Sequence, residues 1–149
     1  MEIEKRLAVL QNTYAASVAE TVNFLEKLTA LDTVVAEKKA RQALTAHHLN
    51  QQLGISSIED VFRTLSEIYG CADWTVQKTA DGFVATTASC KLCALSKKMG
   101  GANPCGGWCL NPMTFMIAAA GSIDAERVTV DSTLMTGDCC KVRIHTKAE

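Results

Sequence analysis

Four cysteines stand within a twenty-residue stretch, Cys90, Cys93, Cys105 and Cys109, in the pattern C-x2-C-x11-C-x3-C. Two more, Cys139 and Cys140, are adjacent near the C-terminus, and Cys71 makes seven. Thiols at this density can bind a metal or cluster, react, or cross-link. Two cysteines separated by two residues can grip one ion, because the backbone between them curls and turns both sulfurs inward. A second pair completes a tetrahedron, and four thiolates at about 2.3 Å are the default set for Zn²⁺. The ligand candidates are Cys90, Cys93, Cys105 and Cys109, with Cys140 joining from a later segment. Zinc modules usually repeat C-x2-C; here the second pair is C-x3-C and neither pair carries the usual knuckle glycine.

Two other chemistries suit the same residues. Four thiolates can hold an iron–sulfur cluster, with the amides of Gly106 and Gly107 donating to cluster sulfur, although the spacing departs from the common ferredoxin patterns. A thiolate beside Lys91, Lys97 or Lys98, or at a helix start, is acidified and becomes a nucleophile. A further alternative is that these are inert, buried cysteines that only fill space. His47 and His48 are adjacent on a helical stretch and point about 100° apart, so at most one can face a buried site. Cys71, alone after Gly70, reads as a small buried apolar residue.

The bulk composition narrows the classes. A chain of 149 residues fits one domain with a sizeable core, and 48% hydrophobic with 21% charged residues is ordinary for a globular protein. A formal net charge of -1 implies no basic face, so no nucleic-acid partner is expected. MEIEKRLAVLQ lacks the apolar run of a secretory leader, and no stretch approaches the ~20 apolar residues that span a bilayer. The expected location is cytoplasmic, with no membrane partner. A reducing compartment disfavours stable disulfides and favours metal or redox roles for the thiols. There is no HExxH, P-loop or Ser-His-Asp arrangement, which removes the commoner enzyme classes.

The elements that must position the thiols follow from periodicity. Ile3, Leu7, Leu10, Tyr14, Val18, Val22, Leu25 and Leu28 predict one amphipathic helix over 3–28 whose stripe faces the core. A helix this long can also pair with its copy in a homodimer. Asp32 is placed to cap a second helix ending at Gly54, with Ala36, Ala40, Ala43 and Leu44 offering a close-approach face. Ser56 and Glu59 fit a capping box for a third helix that ends at Gly70. Trp74 and Val76 alternate with polar residues, Asp81-Gly82 turns the chain, and FVATTAS returns as a second strand delivering Cys90. Cys90 to Met99 reads as a short helix, ANPCGGWC as a loop, and Asn111 with Pro112 as the start of a fourth long helix. VTVDSTLM and CCKVRIH predict a second hairpin. Successive strand residues face opposite ways, so only one of Cys139 and Cys140 can share the site. Strands joined by tight turns imply an antiparallel sheet, hence an α+β fold flanked by helices with two long ones leading. The domain reading is a single unit, 1–149, helical over 1–70 and carrying sheet and cysteines over 71–149.

The C-terminal part also resembles a known family. SCKLCALSKK, then Cys109, a helix, and VTVDSTLMTGDCCKVRI are similar to the L-2-amino-thiazoline-4-carboxylic acid hydrolase-like family, which is related to the vinyl-reductase (hydrocarbon-binding) domains. The matching features are Cys90 or Cys93, Cys109, Leu134, Gly137-Asp138 and Cys140. Here Cys139 and Cys140 follow Gly137-Asp138 at once, where the family spaces its cysteine further, and Cys105 and Cys139 are additional. The resemblance implies an antiparallel sheet flanked by helices, a small-molecule pocket near the thiols, and, as in some related sensor domains, zinc held by cysteines near the last hairpin. The leading expectation is therefore a cysteine-rich domain that binds or senses a small molecule and holds Zn²⁺. The alternatives are an iron–sulfur protein and a hydrolase opening a small ring containing sulfur and nitrogen. In the hydrolase, a metal-bound hydroxide or the Cys109 thiolate would attack while Asp131 or Asp138 handles protons.

Overall fold

Two long helices lead the chain, α1 over Ile3–Lys27 and α2 over Leu31–Leu53. The computed structural model describes residues 1–147. α1 buries Ala15, Val18, Ala19, Val22 and Asn23, and these short side chains let α4, Lys91–Met99, lie close against it. The predicted stripe is core-facing only in part. Val18 and Val22 are buried, but Ile3, Leu7, Leu10 and Leu28 are exposed, Leu10 by 66%. At the N-terminal end the reason is reach: residues 1–10 are all exposed, so the apolar flank of the first turns of α1 is left largely uncovered.

α2 corrects two expectations. Ala36, Ala40, Ala43 and Leu44 face outward, and Leu44 is 86% exposed. The inward line is Leu31, Val35, Lys38, Gln42, Ala46, Leu49 and Leu53, at three- and four-residue steps, so the stems of Lys38 and Gln42 join the aliphatic residues there and Ala46 is the alanine that faces in. The N-cap is Ala30 and makes no side-chain bond; Asp32 lies in the first turn. Leu31 is buried and draws the helix start back by that much. Gly54 stops α2 in the left-handed conformation, as its position predicts.

α3 spans Ile58–Thr64. Its cap is Ser57, whose hydroxyl accepts the Asp60 N–H at 3.1 Å, while the Asp60 carboxylate accepts the Ser56 N–H at 3.0 Å. The capping box thus sits one residue later than Ser56 and Glu59. That register buries Ile58, Val61 and Phe62 together. A π-helical turn, Leu65–Tyr69, continues α3 to Gly70.

The strands are β1 (Thr75–Lys78), β2 (Gly82–Thr87), β3 (Val128–Ser132) and β4 (Cys140–His145). They form one antiparallel sheet in the order β1-β2-β4-β3. The protein is α+β, with long N-terminal helices. β3 is shorter than VTVDSTLM suggests, because its register breaks between Val130 and Ser132 and Thr133–Met135 turn away. Ala85, Val142 and Ile144 face inward against Val61, Phe62 and, from α5 (Asn111–Gly121), Met113, Met116 and Ile117.

ANPCGGWC is only half a loop. Gly106–Leu110 is a second π-helical turn that runs straight into α5, so Asn111 lies inside a continuous helix instead of capping it. A smaller cluster, Val18, Ala19, Val22, Leu31, Leu92 and Ala102, joins α1, the start of α2 and α4. The seam between this cluster and the main core is where the thiols meet.

Candidate functional site

Six of the seven cysteines border one cavity: Cys71, Cys90, Cys93, Cys105, Cys109 and Cys140. They arrive from four segments. Cys71 follows Gly70, and Cys90 and Cys93 open α4. Cys105 stands immediately before the π-helical turn and Cys109 within it, and Cys140 is the first residue of β4. The space measures about 150 Å³, a volume that admits a single six-membered ring. Leu49, Leu65, Trp74, Leu110 and Met116 line it from the main core, and Tyr14, Leu92 and Trp108 from the smaller cluster.

Local sequence explains each placement. Cys90 is extended and serves as the N-cap of α4; its sulfur accepts the Cys93 N–H at 3.5 Å, in the place a serine hydroxyl would take. One turn on, Cys93 points inward beside Leu92, and its Sγ lies 3.6 Å from Cys105 Sγ. Both are 4% exposed. Cys140 is buried at the end of β4, where its sulfur accepts the Leu134 N–H at 3.3 Å. Cys139 faces the other way, its sulfur 3.6 Å from Ser132 Oγ, and does not border the cavity. CCKVRIH is strand only from Cys140, so Cys139 stays in the turn while the inward side of β4 takes Cys140.

The rim is aromatic and basic. Tyr14 and Tyr69 pack at 5.5 Å between ring centroids, and Lys38 Nζ stands 4.9 Å over the Trp108 ring. Gln42 donates to the Gly107 carbonyl at 2.9 Å and so ties α2 to the π-helical turn; its Oε1 is buried without a partner.

Burial and hydrogen bonding favour the neutral form of Cys71, Cys90, Cys93, Cys109 and Cys140. The hydrogen bond with Cys105 raises Cys93 to about 12 from 9.0, with burial adding to it. Burial lifts Cys71 to about 11, and raises Cys109 and Cys140 as well. Cys90 rises far above 9.0, first through its hydrogen bond with Cys93 and then through burial. Cys109 and Cys140 are raised further by the charge that neighbouring thiolates would carry. A cation among them would relieve that mutual repulsion.

Among the described residues, no three His, Cys, Asp or Glu side chains stand together at coordinating positions. The closest approach to a ligand set is the Cys93–Cys105 pair. The sequence placed Cys90, Cys93, Cys105, Cys109 and Cys140 in one site, and all five border the cavity. It set Cys71 apart, and this residue borders the cavity too. The signal for it was only Gly70, which turns the chain back at the end of the π-helical turn. The aspartates lie elsewhere. Asp138 is exposed in the turn before β4, and Asp131 is exposed and paired with Arg143 at 2.7 Å. His47 and His48 are exposed on α2, His47 with its ring 3.5 Å from the Gln51 amide. Among the described residues, no helix is long and apolar enough to cross a membrane. Compared with protein-family models, curated proteins and solved structures, the chain matches none.

Proposed function

We propose that the chain is a small-molecule-binding or sensing domain of the cytoplasm whose ligand sits against thiols, with Zn²⁺ held in the same wall. The observation that carries this reading is the convergence of six cysteines from four segments on one cavity. The Cys93–Cys105 pair fits the metal. Two thiolates on a tetrahedral zinc at ~2.3 Å stand about 3.8 Å apart, and these sulfurs are 3.6 Å apart. Cys90, Cys109 and Cys140 are the residues from which the remaining ligands would come. Bound zinc would draw protons off these thiols and offset the charge left behind. The apolar lining suits a small, largely apolar ligand, and the unpartnered Gln42 Oε1 leaves one acceptor in the wall for a donor on it.

Metal analysis of protein purified without added metal tests the metal. About one zinc per chain is expected, and it should fall when Cys93 and Cys105 are both serine. Less than ~0.2 equivalents of any metal, with every thiol free to titrate, defeats it. A brown, iron-containing protein would point instead to the cluster alternative.

Hydrolysis of a small ring containing sulfur and nitrogen, the activity implied by the family resemblance, is the second reading. The observation in its favour is Cys109, which borders the cavity beside the other thiols. Neither Asp131 nor Asp138 borders that wall, so proton transfer would fall to other thiols or the tyrosines. Ring opening by the wild type, lost in Cys109→Ser, would support it; equal inactivity of both removes it. We also propose a homodimer through the bare start of α1, where Ile3, Leu7 and Leu10 form an uncovered stripe.

A further inference from the structure

Cys93 has two faces. It borders the cavity, and with Cys71 and Cys90 it also borders an open outer groove edged by Lys91, Lys97 and Leu134. Cys105 borders the cavity alone. The two sulfurs are 3.6 Å apart, and a disulfide is ~2.05 Å, so closing the bond asks each sulfur to move by less than about 1 Å. The eleven residues between them include Gly100 and Gly101, both at positive φ, which lets the chain double back there.

We propose that Cys93 and Cys105 form a reversible oxidation site, in which Cys93 attacks a small anionic disulfide entering from the outer groove and an intramolecular disulfide is left across the cavity wall. Lys91 and Lys97 supply the positive edge that draws such an oxidant. Cys93 is only 4% exposed, so the first step is slow: once its proton is lost, the Cys93 sulfur displaces one thiolate from the small disulfide and becomes a mixed disulfide. Cys105, losing its own proton, then attacks the Cys93 sulfur and expels the second thiolate. The two cysteines give up two electrons and two protons, and the small disulfide becomes two thiols. The bond would pin α4 to the segment leading into the π-helical turn and remove two thiols from the wall. The inference does not rest on the zinc reading, since it concerns the metal-free chain.

The experiment is exposure of the reduced, full-length chain to glutathione disulfide with a chelator present. The expected product has five titratable thiols of seven, a mass lower by two hydrogens, and a peptide link that fragmentation places between Cys93 and Cys105. In Cys105→Ser the reaction should stop at a glutathione adduct on Cys93, whereas Cys93→Ser should leave Cys105 unmodified. Seven free thiols after exposure, or a link joining any other pair, overturns the proposal. Mapping of the wild-type chain decides it even if a variant fails to fold. A metal count of zero would remove the zinc reading without touching this result.

Discussion

Asn23 on α1 and Ser96 on α4 are bonded side chain to side chain, amide Nδ2 to hydroxyl Oγ, at 3.0 Å. Both are buried. The Asn23 Oδ1 accepts the Ala102 N–H at 3.0 Å, and the Ser96 hydroxyl donates to the Ala102 carbonyl. One amide therefore joins α1, α4 and the segment that carries Cys105. Asn23→Ala strands the Ala102 N–H in a closed interior, and should cost about 2–3 kcal/mol in urea unfolding. The same variant should speed the reaction of Cys93 and Cys105 with a thiol reagent. An unchanged unfolding midpoint together with unchanged thiol kinetics would show that this network holds neither.

Alkaline pH should loosen the metal-free protein in a defined window. Cys71 is raised to about 11 by burial, and Cys93 to about 12, first by its bond with Cys105. In the unfolded chain both titrate near 9.0. Between those values the unfolded state has lost protons that the native state keeps, so stability falls as pH rises. Their contribution is complete below about pH 9 and disappears as pH passes through 11 to 12. Melting temperature measured from pH 7 upward should be level and then drop. A curve that stays flat to pH 11 would mean that these thiols are not shielded as the geometry implies.

Gly70 and Gln11 form a second tie. Gly70 has φ +68, and a Cβ there would lie 2.3 Å from Gln11 Cδ. Gln11 donates to the carbonyls of Glu67 at 2.9 Å and Ile68 at 3.2 Å, closing the end of the first π-helical turn. Gly70→Ala should cost about 1–2 kcal/mol from backbone conformation alone, and more from displacing Gln11. The excess should vanish when Gln11 is already alanine, which a double-mutant cycle by denaturant unfolding reads directly. Strict additivity would mean that the two residues act independently.

The dimer proposal has its own test. Leu10 is 66% exposed in the uncovered stripe of α1, and an unsupported segment of this length is a marginal helix in water. Sedimentation at micromolar concentration should show twice the chain mass for the wild type and a single chain for Leu10→Glu. A wild-type protein that sediments as one chain ends that proposal.

Much of the layout was readable because local chemistry and tertiary packing agree there. Asp81-Gly82 sets the first hairpin, Gly54 stops α2, and the alternation of β4 turns Cys140 inward with Val142 and Ile144. The misses occur where packing chose the register. Burial of Leu31 shifts the start of α2 off Asp32, and burial of Ile58 moves a cap from Ser56 to Ser57. Periodicity identifies a stripe but not whether anything lies opposite it, and so Leu10 and Leu44 face outward. Cys71 was illegible for another reason: the cysteines that share its cavity are nineteen or more positions away in the chain, and spacing patterns see only what is close in sequence.

The π-helical turn at Gly106–Leu110 stands directly ahead of α5, within one uninterrupted helical run. A wider turn spends one residue more per revolution than a regular helix, which offsets everything before it by about 100° against everything after. Cys105 lies on one side of that offset and the apolar face of α5 on the other. Loss of a single glycine from the turn would restore an even spiral, more regular as a helix. It would also swing the sulfur of Cys105 out of line with that of Cys93. At this position an irregular backbone sets the angular phase of the site.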